Sequence, residues 1–106
     1  MTESEIQNAI HRALNSRPDT RVFRNHCGRV QDAQGRWHTF GLMRGSADLI
    51  GWCRGRFLSV EVKTATGRVS PEQENWMRQV IKHGGIAFVA RSVEEAIEKL
   101  ENEIGL

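Results

Sequence analysis

Cysteine and proline are scarce in this chain, and tyrosine is missing: 106 residues include two Cys, two Pro and no Tyr. Two isolated cysteines, Cys27 and Cys53, are too few for a disulfide framework or a CxxC zinc site. The four histidines show no metal-ligand spacing. No apolar run is long enough to span a membrane, and the N-terminus has no signal-peptide pattern. We therefore expect an intracellular, cytoplasmic protein that folds as one domain over residues 1–106.

Acidic residues are also scarce in the middle of the chain. Residues 17–68 carry ten Lys or Arg against four Asp or Glu, a balance of +6 in a chain whose net charge is +2. All of these cations except Lys63 are arginines, and the planar guanidinium suits phosphate because it can donate twice. This stretch fits a polyanionic partner. A surface with scattered charge is the alternative.

Two segments in this basic stretch predict a β-hairpin that carries an acidic pair. Ala47–Cys53 and Arg56–Lys63 are typical of strands, and Arg54-Gly55 between them is typical of a short turn. A hairpin centred on that turn pairs Asp48 with Glu61, and directly opposed residues have Cβ atoms roughly 4.5–5.5 Å apart. Two carboxylates this close repel each other unless a positive charge lies between them. A divalent metal ion resolves the repulsion, since hard cations prefer oxygen ligands.

The second strand of this hairpin adds a lysine to the pair. Alternation places Leu58, Val60 and Val62 on one face, and Ser59, Glu61 and Lys63 on the other. Two acids and a lysine on one face are typical of a metal-dependent phosphodiesterase. The alternative is a half-exposed hairpin with a surface Glu–Lys pair, and a one-residue slip would move Asp48 to the other face.

The remaining pattern predicts three helices and further strands. A helix runs from Thr2 to about Ser16, with a capping-box pair formed by Thr2 and Glu5, and a first strand covers Arg21–His26. The excursion Gly28–Gly45 is partly β around Trp37–Phe40.

Beyond the acidic hairpin, Ser70-Pro71 begins a second helix that Gly84-Gly85 ends. Its predicted core face consists of Trp76, Met77, Val80 and Ile81. Ile86–Ala90 is a buried strand, and Ser92 caps the last helix, whose core residues are Val93, Ala96, Ile97, Leu100 and Ile104.

Taken together, these segments resemble the VRR-NUC domain, a branch of the PD-(D/E)XK nuclease superfamily. The resemblance rests on Gly45–Gly51, Glu61–Lys63, Ser70–Gln73, Gly84-Gly85 and Val89–Ser92, and it extends over nearly the whole chain. It implies an α/β fold with the PD-(D/E)XK core order α-β-β-β-α-β-α, in which helices flank a central mixed sheet. The proline that often precedes the family's aspartate is Ala47 here, but that proline supplies no ligand.

The resemblance also implies roles for the residues of the hairpin. Asp48, Glu61 and the backbone carbonyl of Val62 would hold Mg²⁺ or Mn²⁺. Lys63 would orient the attacking water or stabilise charge in the transition state.

The family carries a further acid on the first helix and a glutamine at the start of the second. Glu3 is the candidate acid rather than Glu5, because Glu5 serves as a cap and Glu3 leans toward Ile6. A favourable charge at a helix N-terminus explains Glu3 equally well. Gln73 lies at the family's glutamine position and is expected to touch DNA or a bound water.

Candidate DNA contacts are Arg24, Asn25, Arg44, Arg68 and Arg91. For Arg91, a phosphate contact and a structural pairing with a helix C-terminus are both open. Trp37, Trp52 and Trp76 could stack on bases, although core packing is favoured for Trp52 and Trp76.

The resemblance is to the stand-alone, phage-type members of the family, which cut branched DNA including four-way (Holliday) junctions. A homodimer is expected, because two symmetric cuts need two active sites, with the apolar part of Gly28–Gly45 as the favoured interface. The alternative is that these apolar side chains cover the core of the monomer. One alternative is a nucleic-acid-binding module that keeps the nuclease fold without catalysis. Another is an arginine-rich protein-interaction domain.

Overall fold

A computed structural model describes residues 1–105 and confirms the predicted order of elements. The helices are α1 (Glu3–Asn15), α2 (Pro71–Lys82) and α3 (Val93–Ile104), and the strands are β1 (Thr20–Arg24), β2 (Gly28–Gln31), β3 (Trp37–Phe40), β4 (Leu49–Cys53), β5 (Arg56–Val62) and β6 (Ile86–Ala90). Among these described helices, none is long and apolar enough to cross a membrane.

The central sheet is mixed, as predicted. Its strand order is β1-β4-β5-β6, in which β1, β4 and β5 pair antiparallel and β6 pairs parallel to β5 after the crossover through α2. The β2 and β3 strands pair only with each other and form a separate hairpin. The four-stranded sheet therefore carries the core, and the β2–β3 hairpin is an insertion between β1 and β4.

The predicted register of the β4–β5 hairpin is confirmed. Cys53 pairs with Arg56 and Leu49 pairs with Val60. The turn residues Arg54 and Gly55 both have positive φ, 51° and 79°, which is the conformation of a two-residue turn whose twist matches that of the strands. This turn fixes the register, because its two residues just connect the paired residues Cys53 and Arg56 and no extra residue is available to shift the strand pairing.

Two helices cover one face of the sheet and the third covers part of the other. The main core lies between the first face and α1 and α3, and its fully buried members include Ile10, Leu14, Leu49, Leu58, Val60, Val62, Ile86 and Leu100. On the second face, α2 packs against β5 and β6, and the indole Nε1 of Trp76 donates to Ser59 Oγ at 2.7 Å. Both faces of β5 are consequently buried from Leu58 to Val62.

Side-chain caps begin all three helices. Thr2 with Glu5 and Ser70 with Gln73 form capping boxes, and Ser92 accepts from the Glu95 backbone N–H. Each cap satisfies N–H groups that the first helical turn leaves without partners. The predicted helix starts are therefore confirmed.

Several predictions about single residues are wrong. Ile81 is 58% exposed, since only a narrow stripe of α2 around Val80 meets the sheet. Trp52 is 49% exposed, because α2 covers β5 and β6 and leaves the second face of β4 open. The two strands at this end are shorter than predicted, so Asp48 lies just before β4 and Asn25 just after β1.

Candidate active site

Asp48 and Glu61 come together at the end of the β4–β5 ladder. Asp48 immediately precedes β4, and the register that pairs Leu49 with Val60 brings it opposite Glu61. The Oδ2 atom of Asp48 accepts a hydrogen bond from the backbone N–H of Val62 at 2.8 Å, which orients the carboxylate across the strand. Glu61 is only 3% exposed, so the alternative of a surface Glu–Lys pair is wrong.

The electrostatics of the pair are unfavourable without a cation. Burial, and then the hydrogen bond and the charge of Asp48, raise the pKa of Glu61 to about 8. The Lys63 ammonium, with Nζ 3.8 Å from Glu61 Oε1, lowers that pKa, while the Glu3 carboxylate raises it slightly. A carboxyl group so perturbed beside a specific charge partner is typical of a functional site.

Gln73 ties the start of α2 to this pair. Its side-chain Nε2 donates to Glu61 Oε1 at 3.0 Å, while its Oε1 accepts from the Ser70 backbone N–H at 2.9 Å. The amide thus serves two protein groups at once and holds Glu61 against the helix N-terminus. The Ser-x-x-Gln spacing was the signal for this arrangement, because a capping box fixes the direction in which the glutamine points.

A loop held by Arg91 covers Lys63. The Lys63 side chain is only 14% exposed, and Gly67 packs against its aliphatic stem. One guanidinium nitrogen of Arg91 donates to the carbonyls of Thr64 at 2.6 Å and Gly67 at 2.7 Å. Arg91 therefore binds a loop rather than a helix C-terminus, and it shapes the surroundings of Lys63.

Asn25 and Gly45 position the segment that leads into Asp48. The Asn25 side chain donates to Ser46 Oγ at 2.8 Å and to the Ala47 carbonyl at 2.9 Å, and its backbone N–H donates to the Asp48 carbonyl at 2.9 Å. Gly45 has φ +89°, and a Cβ there would lie 2.5 Å from the Glu72 carbonyl oxygen, so only glycine fits. These contacts fix the approach of the chain to the site.

The other predicted residues lie around this centre. Glu3 is exposed rather than turned inward, and its charge reaches Glu61, whereas Glu5 forms the predicted cap. Arg24 donates to the Asn8 side chain on α1. Arg44 and Arg68 are exposed, which leaves them open to solvent and to a large ligand.

The donor set suits a hard divalent ion. Asp48 and Glu61 offer carboxylate oxygens, and Val62 offers a carbonyl at the same strand end. Within residues 1–105 no group of three or more His, Cys, Asp or Glu side chains could hold a metal, so water or substrate oxygens must fill the other positions. Mg²⁺ is typically bound in this way, by one or two carboxylates with several retained waters. A cation here would also offset the burial and the Asp48 charge that raise the pKa of Glu61.

We predict that the metal-free protein loses stability as pH rises. The pKa of Glu61 is raised from 4.5 to about 8, so between these values the folded chain binds a proton that the unfolded chain has released. Stability from this group is therefore full below pH 4.5 and is lost through pH 8, at up to about 1.4 kcal/mol per pH unit. Thermal or urea unfolding in EDTA across this range measures the effect.

Glu61→Gln isolates this contribution. The neutral amide keeps the size of the side chain and cannot ionise, so its free energy of unfolding should change much less with pH. Glu98→Gln, an exposed change on α3, is the control and should follow the wild type. Parallel pH profiles for wild type and Glu61→Gln would show that Glu61 ionises normally.

Comparison with known proteins places the chain in a family. The model of the VRR-NUC domain matches residues 1–94. A solved structure titled "VRR_NUC domain protein" matches at a TM-score of 0.66 and 19% identity, over 99% of this chain and 89% of that chain. No curated protein matches. The structural match shows a common fold, which is consistent with the PD-(D/E)XK superfamily, and the family match covers Asp48, Glu61, Lys63 and Gln73. This chain belongs to the VRR-NUC family and has its nuclease-type fold.

Proposed function

We propose that the chain is a metal-dependent endonuclease that hydrolyses phosphodiester bonds in DNA with Mg²⁺ or Mn²⁺. The observation that carries this proposal is the buried Glu61 carboxyl group opposite the half-buried Asp48, with a lysine ammonium 3.8 Å from Glu61. A glutamate buried beside an aspartate for structural reasons alone would be costly, because its ionised form loses hydration and repels the neighbouring charge. The presence of this pair beside Lys63 is best explained by metal ligation.

The two carboxylates and Lys63 have different tasks in this proposal. A divalent ion, when bound, lowers the pKa of a water molecule and polarises a phosphate oxygen. Asp48 is held in place by the Val62 N–H and Glu61 by the Gln73 amide, so both carboxylates are preorganised. Lys63 then places a positive charge where negative charge builds up on the phosphate.

Branched DNA is the proposed substrate, and four-way junctions are the proposed preference. The charge balance of +6 in residues 17–68 supports a polyanionic substrate. The branched preference rests on the resemblance to stand-alone VRR-NUC nucleases. The test is a cleavage panel of linear, flapped and four-way DNA with Mg²⁺, Mn²⁺ or EDTA. We expect metal-dependent cutting that favours branched DNA; saturable binding without cutting under every condition would instead support the noncatalytic module.

We propose further that the active form is a homodimer joined through the β2–β3 hairpin and the segment after it. Large apolar side chains in this region are between 42% and 58% exposed, and they are Val30, Trp37, Phe40, Leu42 and Met43. A two-stranded hairpin alone is marginally stable in water, so burial against a second copy would stabilise it. A two-fold dimer would supply the two sites that symmetric cuts require.

Sedimentation velocity at micromolar concentration tests the dimer. We expect about twice the chain mass of 12.0 kDa for the wild type, and a shift toward monomer for Met43→Glu, because the change buries a charge in the interface. Ile81→Glu is a matched control, since Ile81 is equally exposed but lies on α2. A wild-type mass near 12.0 kDa together with undiminished cutting of four-way junctions would exclude the dimer as the active form.

A further inference from the structure

Three aromatic rings are exposed side by side on the second face of the sheet. Phe23 is 51%, Trp52 49% and Phe57 41% exposed. Trp52 lies directly opposite Phe57 in the β4–β5 ladder, and the ring centroids of Phe23 and Trp52 are 5.5 Å apart. We call these three residues the aromatic platform. Contiguous exposed apolar surface of this kind typically marks a binding site.

The aromatic platform lies beside the part of the second face that helix α2 covers. Trp76 from α2 meets the edge of Phe57, with ring centroids 6.2 Å apart, and α2 packs on β5 and β6. The first face of β1 and β4 is buried, with Val22 and Leu49 in the core. Phe23 and Trp52 thus stand on the open side of well-buried strands, so their exposure does not come from loose packing.

The same face carries the candidate active site. Side chains alternate along a strand, so Asp48, Ile50 and Trp52 point to one side of β4, and Glu61, Ser59 and Phe57 to the same side of β5. Asp48 and Trp52 are four residues apart, which is roughly 13 Å along an extended strand. A strand of DNA cut at the carboxylates would therefore have its neighbouring nucleotides within reach of the platform.

We propose that the aromatic platform stacks the unpaired bases of a DNA strand next to the cleavage site. This inference rests on the proposed nuclease function and adds a preference for DNA with single-stranded character near the cut. Aromatic faces suit bases of any sequence, because every base has a π-face. Paired bases in continuous duplex are stacked on one another and would not use the platform.

Charge supports DNA rather than a second copy of this chain as the occupant. Arg21 pairs with Trp52 in the β1–β4 ladder, and its guanidinium donates to the carbonyls of Arg17 and Thr20. Within residues 1–105 it forms no salt bridge with a carboxylate, so its charge is available to a phosphate. A symmetric contact between two copies through the platform would bring a second Arg21 close to the first. The two positive charges would repel each other.

The experiment measures affinity for an oligothymidine of about ten nucleotides and for a blunt duplex, both in EDTA so that nothing is cut. Fluorescence anisotropy gives the dissociation constants, and quenching of tryptophan emission reports stacking. We expect Trp52→Ala and Phe23→Ala each to weaken oligothymidine binding by about 5- to 100-fold and to leave duplex binding nearly unchanged. Trp52→Phe keeps an aromatic face and should retain most of the affinity.

Ile81→Ala is the control. Ile81 is an apolar side chain exposed to a similar degree, 58%, but it lies on α2, outside both the aromatic platform and the proposed dimer interface. Its oligothymidine affinity should equal that of the wild type, and thermal melting checks that every variant is folded. Unchanged oligothymidine affinity in both Trp52→Ala and Phe23→Ala would overturn the inference, as would equal losses for oligothymidine and duplex.

Two further measurements separate this inference from its alternatives. If sedimentation shows that Trp52→Ala lowers the mass while oligothymidine affinity is unchanged, the platform is an interface between copies and the inference is wrong. If the wild type cuts branched DNA and Trp52→Ala binds oligothymidine normally, the nuclease function is supported and the stacking role of the platform is wrong. If Trp52-dependent stacking is found in a protein that cuts no DNA, the platform stands and the proposed function fails.

Discussion

Replacing either Asp48 or Glu61 by alanine is expected to lower the single-turnover rate of DNA cleavage by about 10³-fold or more. In the proposed site, Asp48 and Glu61 are the two carboxylates that would hold the ion among residues 1–105, so losing one would leave the ion without a defined position. The loss should persist at saturating DNA, because the arginines that are proposed to bind phosphate are unchanged. Cleavage of a labelled four-way junction with Mg²⁺ and with Mn²⁺ measures the effect.

Isosteric variants separate the effect on cleavage from any effect on folding stability. Asp48→Ala removes the acceptor for the Val62 N–H, and a buried N–H left without a partner costs about 1–3 kcal/mol. Asp48→Asn and Glu61→Gln preserve shape and keep one acceptor oxygen, for the Val62 N–H and the Gln73 amide respectively, and they should be as inactive as the alanine variants while melting at similar or higher temperature in EDTA. The higher temperature is expected because burial and the charge of Asp48 both raise the pKa of Glu61, and each variant removes one of the two acidic groups that oppose each other.

Glu98→Gln provides the control for loss of a carboxylate, since Glu98 is exposed on α3. Its cleavage rate should match that of the wild type. Near-normal cleavage by Asp48→Asn or Glu61→Gln with either metal would mean that the metal assignment is wrong. Isothermal titration with Mn²⁺ adds a second measurement, because a binding site that is lost in both variants would place the ion there independently of the rate.

The acidic pair was predictable from sequence because its geometry is local. A two-residue turn with Gly55 at its second position fixes which residues face each other, and alternation does the rest. The same information does not say what covers each face. Apolar character favours the core for Trp52, and helical spacing places Ile81 on the core face of α2, but whether either is buried depends on how far α2 extends across the sheet.

The supporting contacts of the site could not be predicted, because they join distant parts of the chain. Asn25 bonds to Ala47, which is 22 residues away, and Arg91 bonds to Thr64, which is 27 residues away. No spacing rule connects such pairs, and the resemblance suggested DNA contacts for both residues. In the structure their side-chain donors hold the loops that flank the site, so a role in DNA binding stays a prediction.

Lys63→Ala is expected to reduce the single-turnover rate by about 10²- to 10³-fold while DNA affinity changes only a few-fold. Lys63 is nearly buried, and its Nζ lies 3.8 Å from Glu61 Oε1, so in the proposed mechanism its charge would act on the reacting phosphate and contribute little to the rest of the DNA-binding surface. Negative charge on the phosphate grows as the transition state is approached, and a cation held there stabilises the transition state more than the bound substrate.

A second lysine–glutamate pair in the chain provides a matched control for this substitution. Lys99 Nζ also lies 3.8 Å from a glutamate oxygen, that of Glu95 on α3, but its side chain is 42% exposed. Lys99→Ala removes the same charge from an equally spaced pair, and its cleavage rate should equal that of the wild type. A shared loss of rate in the two variants would indicate an effect of net charge instead of a role for Lys63.

The two parameters must be measured separately for Lys63, since a rate at one DNA concentration mixes binding with chemistry. Single-turnover rates at saturating junction give the chemical step, and anisotropy in EDTA gives the affinity. Lys63→Arg keeps the charge but changes its shape and position, so it should recover part of the rate that alanine loses. A large fall in DNA affinity with an unchanged single-turnover rate would contradict the assigned role, because Lys63 would then be a substrate contact and the charge on the transition state would be stabilised by other groups.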